Sequence, residues 1–153
     1  MMKELNMTPY VGIGDIKLMA KLDDVRAYFK ANKIPHQMEV WPHKGCTPEV
    51  PWTILRVEGC LSFFFAKGFL WKIEAENDYA GSLPNGIKIG MSLDEARRID
   101  PSLNYDDWNE DWQSEQGYWI IDFVETGKIV YIGIFIKEVL DEDLFDAYEW
   151  AKE

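Results

Sequence analysis

The side chains best suited to act on another molecule crowd into residues 105–119, which read YDDWNEDWQSEQGYW. Five acids and no base share this stretch with Tyr105, Trp108, Trp112, Tyr118 and Trp119. Aromatic rings bring large contact area at low entropic cost. Acids beside them attract a basic partner and give fast, salt-sensitive association. The chemistry is therefore recognition, with no bond made or broken. Asp106, Asp107, Trp108, Glu110, Asp111, Trp112 and Glu115 are the candidate contact residues. Asp141, Glu142 and Asp143 either extend the same acidic face or sit at a helix start, where the macrodipole favours acids. Trp119 opens a strongly apolar strand and belongs to the core. For Trp108 and Trp112 a core position and an exposed anchor fit equally well.

Catalytic and metal-binding sets are thin. His36, His43 and Cys46 have zinc-compatible chemistry, but a fourth ligand and a paired spacing are missing. Cys46 with His43 lacks the strand-to-helix setting of a nucleophile and its base. Asp107, Asn109, Asp111 and Glu115 mimic positions 1, 3, 5 and 9 of a calcium loop. The pattern then fails, with Trp112 where glycine belongs and Tyr118 where glutamate belongs. Gly12-Ile13-Gly14 is too short for a phosphate loop. The sequence thus predicts a non-enzyme with no cofactor and no metal.

Charge narrows the partners. The 153 residues carry 16 Lys and Arg against 27 Asp and Glu, a net charge of −11. Phosphate backbones and anionic membrane surfaces need clustered cations, so neither fits. Residues 1–77 carry a net of +1 and residues 78–153 a net of −12. The imbalance is local to the second half. Aromatics make up 14% of the chain, which excludes a disordered acidic tail. No secretory pattern opens the chain and no apolar run approaches a membrane helix, so a cytoplasmic location is expected. There Cys46 and Cys60 read as two free thiols rather than a disulfide.

The elements that must hold the acidic segment follow from periodicity. Residues 15–26 (DIKLMAKLDDVR) and 86–97 (GIKIGMSLDEAR) align at an offset of 71. Ile16/Ile87, Lys17/Lys88, Leu22/Leu93, Asp23/Asp94 and Arg26/Arg97 are identical. Each copy starts an amphipathic helix. Leu22, Val25 and Phe29 share one face of the first. Ser92 and Glu95 form a capping box for the second, and Pro101 ends it. Strand pairs follow at 61–75, joined at Lys67-Gly68, and at 118–136, joined at Thr126-Gly127. Strand-like runs also occupy 36–41 and 50–58. Strands 120–124 and 129–136 are nearly all apolar and are expected at the sheet centre, buried on both faces. Leu144, Phe145, Tyr148 and Ala151 give a last helix over about 141–152. The expected fold is α+β in a single domain, 1–153. Two tandem helix-plus-antiparallel-strand repeats, about 10–78 and 84–137, would form one sheet layer with helices packed on one face.

The repeated segment resembles the tandem helix-plus-sheet units of the beta-lactamase-inhibitor-protein and small outer-membrane assembly lipoprotein superfamily. There a motif of the form I-x-x-G-M-S-x-x-E-V begins each helix. Ile87, Gly90, Met91, Ser92, Glu95 and Ala96 match it. The first copy departs, with Met19, Ala20 and Lys21 in place of Gly, Met and Ser. The resemblance implies work by protein binding, without catalysis. By type, a small, acidic, aromatic-rich chain is also similar to bacterial immunity proteins, which implies a basic toxin domain as partner, a nuclease for instance. Two other readings compete. Trp41, Trp52 and Trp71 would line a cleft for a small molecule or peptide, or His43 and Cys46 would serve an enzyme.

Overall fold

The computed structural model describes residues 2–42 and 49–152. A small ribbon comes first, of β1 (Met7–Thr8), β2 (Gly12–Ile13) and β3 (Ile16–Lys17). Helix α1 (Leu22–Ala31) follows, then β4 (His36–Trp41), β5 (Trp52–Val57), β6 (Leu61–Ala66) and β7 (Phe69–Glu76). Helix α2 (Leu93–Ile99) leads into β8 (Asn104–Asp106), β9 (Asp111–Gln113), β10 (Tyr118–Phe123) and β11 (Lys128–Phe135). A 3-10 turn (Lys137–Leu140) and α3 (Glu142–Ala147) close the chain. The fold is α+β. Its eight longer-range strands form one antiparallel sheet in the order β4-β5-β6-β7-β11-β10-β9-β8. Each of the first two helices thus precedes a four-stranded meander, and the two meanders meet where β7 pairs with β11.

The start of each helix is tied to the last hairpin of its meander in the same way. Met19 N–H donates to Leu70 O at 2.6 Å, Leu70 N–H to Ala20 O at 2.9 Å and Leu22 N–H to Gly68 O at 2.8 Å. In the second half Gly90 N–H donates to Ile129 O, Ile129 N–H to Met91 O and Leu93 N–H to Gly127 O, all at 2.8 Å. Met19 and Gly90 both take a left-handed backbone, with φ of 72° and 90°. Glycine adopts it without strain; Met19 does so at a steric cost. The helix starts differ at the cap. Ser92 Oγ accepts from Glu95 N–H at 3.1 Å, whereas Lys21 offers no side-chain cap.

The core lies on both faces of the sheet. Leu55, Phe63, Ile73, Ile134 and Tyr118 stand opposite one another across five strands, all fully buried. Phe29 of α1 meets that face, its ring 5.5 Å from Phe63. Successive residues of a strand point to opposite faces. Phe64 accordingly turns the other way, to Trp71 at 5.9 Å and Trp52 at 6.3 Å. Phe145 of α3 closes over Trp71 at 4.6 Å. The helices therefore do not all pack on one face. The reason is β6 itself, where Phe63, Phe64 and Phe65 leave no polar side, so both faces need cover. The expectation that both strands of the second pair are central and buried on both faces also changes. β10 lies off the centre and alternates between buried and half-buried residues. β11, central beside β7, is buried on both faces only from Ile132 onward, with Val130 exposed. The last helix ends at Ala147, short of 152, because Tyr148 turns left-handed at φ 54°. Phe145, Tyr148 and Ala151 are still buried, and Leu144 is exposed.

Candidate binding site

The acidic aromatic segment is a hairpin at the outer edge of the sheet. Strands β8 and β9 pair Asn104 with Gln113, Tyr105 with Trp112 and Asp106 with Asp111. The tip is organised by one carboxylate. Asp106 accepts from Trp108 N–H at 2.9 Å, Asn109 Nδ2 at 2.7 Å and Gln113 Nε2 at 2.9 Å. Glu110, in a left-handed conformation, donates its N–H to Asp106 O at 2.8 Å. Asp is suited to this place because its short side chain bonds the backbone two residues on. The bonds from Asn109 and Trp108 hold the Asp106 carboxyl below its ordinary pKa. Gln113 also donates to Asp111 Oδ1 at 3.0 Å. Asp111 is only 5% exposed, and burial, with the charge of Asp106, raises its pKa. The pKa values of the two acids that face each other across the hairpin are thus shifted in opposite directions.

Trp108 stands at this tip and is 92% exposed. Asp107, Glu110 and Glu115 are exposed as well. Trp112 is placed otherwise. It opposes Ile120 on the sheet face that α2 covers, its ring 5.3 Å from Tyr105 and under the Arg97 guanidinium at 4.6 Å. Trp108 and Trp112, four apart in sequence, therefore serve different surfaces. Trp119 is half-buried and packs on Phe135 at 4.4 Å.

The chain end joins the site. A cleft of about 360 Å³ opens between the hairpin and the segment 139–145. Asp106, Trp108, Gln113, Trp119, Leu140 and Glu142 are among its walls. Leu140 is 59% exposed. Asp141 caps α3 by accepting from Leu144 N–H at 3.2 Å, while Glu142 and Asp143 face outward in its first turn. Residues some thirty-five positions apart in sequence thus meet on one surface. Asn109, Gln113, Trp119 and Leu140 were not among the sequence-based candidates. The Asx turn at Asp106 is the one local signal that could have found Asn109.

No known protein family, curated protein or solved structure matches this chain.

Beneath the hairpin lies a second carboxylate that sequence reasoning missed. Asp100, at the end of α2, is 1% exposed. It accepts from Ser102 N–H at 3.0 Å, Ser102 Oγ at 2.6 Å, Ser114 Oγ at 2.5 Å and Tyr118 Oη at 2.5 Å. Burial alone would raise its pKa; the bonds from Ser102, Ser114 and Tyr118 outweigh that and lower it. This network fixes the base of the hairpin to α2 and β10.

The other sequence candidates sit elsewhere. His36 lies against Phe29 at 5.0 Å, its Nδ1 3.2 Å from Ile34 O. His43 and Cys46 lie outside the described residues, so neither the zinc set nor the thiol–imidazole pair is placed. Cys60 is buried with a free thiol, and burial raises its pKa. Among the described residues no three His, Cys, Asp or Glu side chains are grouped to hold a metal ion. The rings of Trp52 and Trp71 pack on each other at 4.8 Å, with Phe145 against both. Trp41 is exposed, beneath the Arg56 guanidinium at 5.7 Å. No helix of the described residues is long and apolar enough to cross a membrane.

Proposed function

We propose that the protein is a non-catalytic inhibitor that works by binding another protein, an immunity protein for a basic toxin domain. The observation that carries this is Trp108, 92% exposed on a tip whose backbone is already fixed by Asp106. A large apolar ring in water gives the free protein nothing. On a rigid tip it can be buried by a partner at little ordering cost. The acids around it steer a cationic partner and speed its arrival. The binding surface would be Asp106, Asp107, Trp108 and Glu110, with Asp141 to Asp143 as rim; Asp111, a sequence-based candidate, is buried beneath the tip and takes no part. Occlusion of the partner's active site needs no chemistry from this chain. The two helix-plus-meander units are tied by matching hydrogen bonds between a helix-start segment, offset by 71 residues, and a hairpin, offset by 59, which supports reading them as tandem repeats.

The test is co-expression with the product of the adjacent reading frame, scored for toxicity with and without this chain, followed by binding of the two purified proteins at low and high salt. Growth rescue and a complex weakened by salt are expected. A neighbouring product that is neither toxic nor bound by this chain would defeat the proposal.

A further inference from the structure

The cleft between the hairpin and the chain end has an unusual balance of polar groups. No Lys, Arg or His contributes to its walls. Glu142 supplies a free carboxylate, and Asp106 supplies negative charge, its own oxygens already accepting from Trp108, Asn109 and Gln113. Gln113 commits both amide hydrogens, to Asp106 and Asp111, and Asn109 commits one of its two to Asp106. Their amide oxygens remain as acceptors. Apart from the indole N–H groups and one hydrogen of Asn109, the polar atoms left for a ligand only accept. Trp108 and Trp119 add aromatic walls. Acceptors with aromatic faces suit a planar cation that carries many donors. A neutral or anionic group would leave carboxylates facing it unanswered. Ammonium is a compact, strongly hydrated point charge; guanidinium is planar, weakly hydrated and presents five N–H groups. The 360 Å³ volume holds one such side chain with some of its flanking backbone.

We propose that this cleft seats one arginine side chain of a basic protein partner, the guanidinium against the indole walls, bonded to Glu142 and held in the negative field of Asp106. The inference rests on the protein-binding function proposed above and names the residue that function would recognise. It explains why the chain end and the hairpin are brought together. The hairpin alone offers Trp108 and Asp106, and the turn before α3 completes the enclosure with Leu140 and Glu142.

The test uses N-acetyl-arginine amide as probe, with N-acetyl-citrulline amide as its uncharged isostere and N-acetyl-lysine amide as the other cation. Indole N–H resonances of Trp108 and Trp119 are followed by NMR in the full chain. The arginine probe should shift both saturably, with Kd in the millimolar range expected of so small a ligand. Citrulline should bind at least about tenfold more weakly and lysine several-fold more weakly, since both charge and planarity are used. Glu142→Gln, an exposed change at the rim, should weaken the arginine probe several-fold and leave the fold intact. Trp108→Ala, at the exposed tip, serves as the second variant with the same expectation for the Trp119 signal. Equal binding of citrulline, or no saturable shift up to about 50 mM, well past a millimolar Kd, overturns the proposal. So does a response centred on Trp112 in place of Trp108 and Trp119. If the toxic partner binds and no probe seats, the arginine proposal falls and the inhibitor function stands. If the probe seats and no toxic partner is bound, the inhibitor function falls alone.

Discussion

Replacing Asp100 by Ala should destabilise the protein by about 3 kcal/mol. The change removes the acceptor of four hydrogen bonds, from Ser102 N–H, Ser102 Oγ, Ser114 Oγ and Tyr118 Oη. Bonds to a charged group contribute roughly 1.5–3 kcal/mol each, but they do not add, and losing a buried charge returns part of the cost. Relief is incomplete because the donors stay. Tyr118 is fully buried, and Asn85 Nδ2 donates to its oxygen without accepting its proton. Ser114 Oγ accepts from Gln116 N–H at 2.9 Å, and its own proton loses Asp100. For a domain of this size about 3 kcal/mol lowers Tm by roughly 6–12 °C. Urea unfolding followed by tryptophan fluorescence should show the loss in midpoint with an unchanged slope. Tyr118→Phe removes one of the four bonds and should cost about 1–2 kcal/mol; it should cost much less in the Asp100→Ala background, because the two changes share a bond. The pH dependence has a definite sign. The folded pKa of Asp100 is depressed, so its stabilisation is full above the unfolded value of about 3.9 and fades as pH falls through the lower folded value. The difference between parent and Asp100→Ala should therefore shrink only in acid. An Asp100→Ala protein within about 0.5 kcal/mol of the parent at neutral pH would refute the reasoning, since that is the range of ordinary surface changes.

Trp108→Ala should leave stability within about 0.5 kcal/mol, because the ring touches water on nearly every side. The same change should cost about 2 kcal/mol or more in partner affinity by calorimetry, as expected of a central anchor. Asp107→Asn with Glu110→Gln should lower the association rate and flatten its salt dependence in stopped-flow mixing, with little change in dissociation. Gly90→Ala should cost about 1 kcal/mol in thermal unfolding, from the backbone alone. Its φ is 90°, and a Cβ there meets nothing within 4 Å.

Local chemistry was enough to place the elements that nearest neighbours decide. The apolar period of Leu22, Val25 and Phe29, the cap at Ser92 and the glycines at Gly68 and Gly127 located α1, α2 and two hairpins within a residue or two. The concentration of acid and tryptophan between residues 105 and 119 was likewise plain from composition. The offset of 71 aligns Leu22 with Leu93, whose N–H groups donate to Gly68 O and Gly127 O. What one segment says about itself does not tell which face another will cover. Phe63 and Phe64 look alike in sequence, yet one meets Phe29 of α1 and the other Trp52 and Trp71 on the opposite face. Trp108 and Trp112 look alike too. Their fates split because strand alternation sends Trp112 toward Arg97 while the turn at Asp106 leaves Trp108 in water. Asp100 drew no attention because its donors come from residues two, fourteen and eighteen positions away, gathered only by the pairing of α2 with β9 and β10. The cleft is the plainest case. Its acids and indoles were visible one by one, but packing Phe145 onto Trp52 and Trp71 is what carries Glu142 to the side of Asp106. Short-range propensity and composition are written in the chain; the meeting of distant segments is set by which apolar surfaces must be covered together.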